Sequence, residues 1–148
     1  MGMQHPLTAA LLLFILPMDS TVSAQADKLA PCPDSPNCVS SLAVDAEHAV
    51  APLSFNGDPE TAWDALKAVV LKQKRTRITR VDDHYLQAEC RSLVFRFVDD
   101  LAFLLVPGEQ LIHVRSASRT GYSDFGVNHR RVERIRSDFM ELLTSQTH

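Results

Sequence analysis

Residues 115–136 read RSASRTGYSDFGVNHRRVERIR and hold six of the chain's eleven arginines: Arg115, Arg119, Arg130, Arg131, Arg134 and Arg136. Only Asp124 and Glu133 oppose them. A guanidinium is a planar fork that matches carboxylate or phosphate, so the first chemistry this stretch suggests is anion recognition. The second is acid–base work. Ser116, Ser118 or Ser123 with His113 or His129 and Asp124 would make a hydrolase-like set, and an enzyme of that kind would act through Asp99, Ser118, Asp124 or His129. No G-x-S-x-G elbow supports that set. TGYSDFG also matches neither Gly-rich phosphate loop. Gly121 and Gly126 therefore read as turn residues, and Asp124 between them is expected to accept loop N–H groups.

Strand register places these residues. Residues 93–106 and 110–118 read as a hairpin closed across PGE. A four-residue loop over residues 107–110 pairs Val106 with Leu111, Leu105 with Ile112, Phe103 with Val114, Leu101 with Ser116 and Asp99 with Ser118. Leu93, Phe95, Phe97, Leu101, Phe103 and Leu105 then share one face, which must be the core, and a one-residue slip would destroy the match. Asp99, Ser116 and Ser118 continue that face as polar residues, and a buried carboxylate needs a partner. Asp100, Arg115 and Arg119 fall on the opposite face, with both arginines diagonal to Asp100. They read as a cross-strand ion pair or as an arginine pair free to hold an anion. His113 lies on the face opposite Ser116 and Ser118.

The remaining elements follow from local signals. APLSF (51–55) is a short strand. Asp58, Pro59 and Glu60 open a helix whose stripe is Trp63, Leu66 and Val70, and Lys72, Lys74 and Arg75 suit its negative end. RTRITRV and HYLQAEC flank a turn at Asp82 and Asp83. Asn128 is expected to cap a second helix with Val132, Ile135, Phe139 and Leu142 on its apolar side. The order β-α-β-β-β-β-α gives an α+β fold, one antiparallel sheet with two helices on one face, helix-grip-like. Helix-grip folds often enclose a cavity between sheet and long helix.

At 148 residues the chain reads as a signal peptide (1–24), an extended N-terminal segment (25–50) and one α+β domain (51–148). The apolar run over residues 7–16 is too short to span a bilayer and fits a leader, although no Lys or Arg precedes it. Cleavage is expected at Ala24 or Ala26, and Pro31 before Cys32 argues against lipidation. The destination is the periplasm or envelope. Cys32 and Cys38 in CPDSPNC suit a short loop disulfide worth about 2–3 kcal/mol, with Cys90 a buried free thiol. No metal spacing occurs, and no cofactor is expected. The formal charge of −3 argues against nonspecific nucleic-acid binding.

Three motifs in order, CPDSPNCVSS, FRFVDD and VRSASRTGYSDFGVNHRRVE, resemble the bacterial and plastid family called domain of unknown function 1499, over about residues 31–140. The resemblance implies a small, often exported or membrane-associated domain and carries no established activity. Where that family reads Asn-Arg-x-Arg, this chain has Asn128-His129-Arg130-Arg131. A ligand contact there would become weaker or pH-dependent. The leading expectation is non-enzymatic binding of an anionic small molecule, a lipid headgroup or an envelope protein. The residues expected to carry it are Asp99, Asp100, Arg115, Ser116, Ser118, Arg119, Tyr122, Asp124, Asn128 and Arg131. The alternatives are the hydrolase-like set and a purely structural envelope module.

Overall fold

A computed structural model describes residues 29–93 and 96–146. The expected leader, both cleavage positions and Phe95 lie outside the described residues. Two short strands come first, β1 (Cys38–Ser40) and β2 (Leu53–Ser54), followed by helix α1 (Pro59–Lys72). Strands β3 (Thr76–Val81), β4 (Tyr85–Arg91), β5 (Val98–Val106) and β6 (Leu111–Ser118) form the body of the sheet, and helix α2 (Val127–Gln146) ends the fold. The sheet runs β1-β6-β5-β4-β3, with β2 also on β6, and every strand pairing is antiparallel. This is the expected α+β order with β1 added from the segment anticipated as merely extended.

The β5–β6 register is the expected one throughout, from Val106 opposite Leu111 to Asp99 opposite Ser118. A single-turn 3-10 helix, Pro107–Glu109, closes the hairpin, and Gln110 supplies the left-handed residue that redirects the chain. One sheet face carries Leu86, Ala88, Leu101, Phe103, Leu105, Ile112 and Val114. Trp63, Leu66 and Val70 of α1 and Val132, Ile135 and Phe139 of α2 cover it. Burying each large side chain there contributes about 1.5–3 kcal/mol. These side chains pack together between sheet and helices as one buried cluster. On the far face Leu29 packs with Tyr85 and Leu104.

Asp58 caps α1 by accepting from the Thr61 amide at 2.8 Å and the Thr61 hydroxyl at 2.7 Å. Two expectations fail. β5 begins at Val98, not at Leu93, and Leu93 and Phe97 are exposed instead of in the core. The Ser92 amide donates to the Phe97 carbonyl at 2.9 Å, and Ser92 Oγ accepts the Phe97 amide at 3.0 Å. Arg96 adopts φ 54°, incompatible with a strand. Asn128 does not cap α2. Asp124 does so, accepting the Gly126 and Asn128 amides at 2.9 and 2.7 Å.

Candidate functional site

The polar residues expected at the sheet end do come together, in a buried node where β5, β6 and α2 meet. Asp99, Ser116 and Asn128 are all buried. The Asp99 carboxylate faces the Arg131 guanidinium at 2.5 Å, with the two side chains 7% and 12% exposed. Arg131 also donates to Ser116 Oγ at 3.0 Å and to Asn128 Oδ1 at 2.6 Å. Asn128 Nδ2 donates to Ser118 Oγ at 3.0 Å and to the Asn37 carbonyl at 3.1 Å. Asn37, beside Cys38, accepts the Ser118 amide at 2.9 Å and donates to the Gly121 carbonyl at 2.6 Å. Asp99 thus pairs with Arg131 across to the helix, and not with Ser118 across the strands. Cys32 and Cys38 are bonded, and Cys90 is a buried free thiol, both as expected.

Most of the arginine-rich segment is committed elsewhere. On the outer face Arg119 grips Asp100 with Nε at 2.9 Å and Nη2 at 2.7 Å, and reaches Glu89 at 2.7 Å. Arg119 and Arg77 hold the Glu89 carboxyl below its usual range. Arg115 is half-buried, reaches the Pro31 carbonyl at 3.4 Å, and leaves its Nε without a partner. Its burial lowers its pKa, against the opposing field of Asp100. Arg130 donates to the Phe125 carbonyl at 2.9 Å. Arg136 donates to the Pro52 and Ala51 carbonyls and to Glu133. Tyr122 is exposed in the loop.

The hydrolase-like set is not assembled. Ser118 is bound to Asn128, and Asp124 is bound to the helix start. His129 is exposed, and among the described residues no hydrogen bond joins it to any of them. His113 lies on the outer face, as expected, with Nδ1 3.1 Å from Ser41 Oγ. Burial lowers its pKa.

What sequence reasoning missed is a cleft of about 600 Å³ beside the node, between the end of α1, the ends of β3 and β4, and the start of α2. Its cations are Lys72, Lys74, Arg75, Arg91, Arg131 and Arg134, and its one carboxylate is Asp138, which accepts from Gln73 at 2.8 Å. Thr76 and Cys90 also line it, and the Thr76 hydroxyl donates to the Cys90 sulfur at 3.3 Å. Burial pushes the Cys90 thiol's pKa up, against the Arg131 charge and the Thr76 hydrogen bond. Arg131 is answered by Asp99, and Arg91 lies 3.8 Å from Glu89. Among the described residues Lys72, Lys74, Arg75 and Arg134 form no ion pair. The available signal was the basic run after α1, which reads locally as helix-end compensation and conceals that α2 brings Arg134 opposite it.

The family model described as Protein of unknown function (DUF1499) matches residues 28–139. No curated protein matches the chain.

Proposed function

This chain belongs to the DUF1499 family, and we propose that it is an exported, non-enzymatic domain that binds an anionic group in the cleft between α1 and α2. The supporting observation is the set of four cations there, Lys72, Lys74, Arg75 and Arg134, which have no carboxylate partner among the described residues, around a cleft of useful size. Like charges held together on a fold raise the local anion concentration, and arginine forks give such a site geometry as well as charge. The Asp99–Arg131 node acts beneath it as a fixed support that orients the start of α2. Of the arginine-rich segment the site keeps Arg131 as a wall residue and Arg134, and it adds Lys72, Lys74 and Arg75 from the end of α1. Arg119 and Arg136 serve structure. Export is supported by the apolar run over residues 7–16 and by the Cys32–Cys38 bond, which persists in oxidising compartments.

Isothermal titration with inorganic pyrophosphate tests this. Wild type is expected to bind, with affinity falling as salt rises. Arg75→Glu with Arg134→Glu is expected to abolish binding with little change in melting temperature, because both side chains are exposed. Equal binding by the wild type and the double variant would remove the site.

A further inference from the structure

Besides Phe97, four large apolar side chains stand exposed at the same end of the sheet as the cationic cleft. Leu93 is 72% exposed, Tyr122 75%, Phe125 86% and Val127 40%. Leu93 follows β4, Tyr122 and Phe125 lie between β6 and α2, and Val127 is the first residue of α2. Leu93 and Val127 are themselves walls of the cleft. Single exposed apolar residues need no explanation, but a group of them on adjoining loops does.

Phe125 adds a separate observation. Its backbone is left-handed, with φ 52°, a conformation that is costly for a bulky residue and readily adopted by glycine or asparagine. Its side chain makes no use of that backbone, because it projects into solvent. Its carbonyl meanwhile accepts from Arg130 at 2.9 Å, which ties a cation to the same loop. An uncomfortable backbone that displays an aromatic ring on a loop carrying a fixed cation is poor for stability and apt for insertion into an interface.

We infer that this end of the molecule docks on an anionic lipid surface. Phe125, Tyr122 and Leu93 enter the headgroup region, and the cleft takes a lipid phosphate. Charge decides the occupant. Lys72, Lys74, Arg75 and Arg134 line the cleft together with Leu93 and Val127, Arg130 is held at the Phe125 carbonyl, and Asp124 and Asp138 already accept hydrogen bonds from within the fold. Basic residues beside exposed aromatic and aliphatic tips match a negatively charged leaflet in both of its layers. This rests on the cleft being an anion site.

The test is flotation of the full chain with vesicles of phosphatidylcholine, with and without a minority of phosphatidylglycerol. Pyrophosphate titration of the same preparations runs alongside. Every variant keeps the same N-terminus, so any contribution of residues 7–16 is common to all. Wild type should float only with phosphatidylglycerol present. Phe125→Asn removes the ring and suits the left-handed backbone. It should keep or raise the melting temperature, leave pyrophosphate binding unchanged, and weaken vesicle binding by at least about tenfold. Leu93→Ser should weaken vesicle binding in the same direction. Equal flotation of Phe125→Asn and wild type, or equal flotation with neutral vesicles, would overturn the docking surface. Retained pyrophosphate binding with no flotation would refute docking and spare the cleft, whereas loss of both would refute the cleft as well.

Discussion

Replacing Arg131 by Met isolates the charge in the buried node. Methionine follows the arginine stem closely and fills irregular space, so the packing term stays small. What disappears is the partner of Asp99, a carboxylate whose side chain is 7% exposed, together with the donors to Ser116 Oγ and Asn128 Oδ1. Removing one member of a buried pair costs about 3–5 kcal/mol, against a total of roughly 5–15 kcal/mol for a domain. With a urea slope near ~2 kcal/mol/M, the midpoint should fall by about 2 M. The chain has one tryptophan, Trp63, buried between α1 and the sheet, so its emission reports global unfolding. Asp99→Asn added to Arg131→Met removes the orphaned charge and should recover on the order of 2 kcal/mol. A loss under about 1 kcal/mol, the range of an exposed pair, would refute the reasoning, and so would a double variant no more stable than Arg131→Met.

Three further outcomes follow from the same contacts. His48 places Nδ1 2.6 Å from Asp45 and Nε2 3.2 Å from the Ser35 carbonyl, which raises its pKa, while that of Asp45 is lowered. The His48 contribution is therefore full below its unfolded pKa and lost as pH rises through its folded one. The Asp45 contribution is lost as pH falls through its depressed pKa. In stability measured from acid to alkaline pH, the His48 loss should be present in wild type and absent in His48→Ala, whereas the Asp45 loss should persist in reduced form, because the amide of residue 48, the largest cause of the Asp45 shift, still donates to its carboxylate at 2.9 Å. Cys32→Ser with Cys38→Ser should lower stability by about 2 kcal/mol, read by urea denaturation under oxidising conditions, because it frees a short loop. Asn128→Ala strips Ser118 and the Asn37 carbonyl of a donor and should cost about 2–3 kcal/mol, with faster proteolysis in residues 119–126.

The β5–β6 register was legible because alternation and loop length each admit one solution, and both give Asp99 opposite Ser118. The same alternation misled at Leu93 and Phe97. A strand needs a neighbour, and β4 ends at Arg91 opposite Val98. Asp100 with Arg119 was within reach of register reasoning. Asp99 with Arg131 was not, since register relates strands to strands and says nothing of which helical side chain returns over the sheet. Asn128 illustrates the same limit: its type suits a cap, yet the carboxylate four residues earlier takes that role and frees it for the node. Arg134 opposite Lys74 and Arg75 depends on how α1 and α2 cross, which no local pattern encodes.

Asn37 joins segments far apart in sequence, bonding to Gly121 across 84 residues and to Asn128 across 91. Contacts of that separation carry a large loop-closure entropy and form late in folding. On a chain that enters an oxidising compartment N-terminus first, neither partner of Asn37 is available until most of the sheet has followed. The Cys32–Cys38 ring needs only its own few residues, so it can close long before and hold Asn37 in a restricted conformation until α2 arrives. Oxidation early in the chain's life thus lowers the entropy of the last closure, and the timing of thiol chemistry becomes a control on how fast the finished end of the molecule sets.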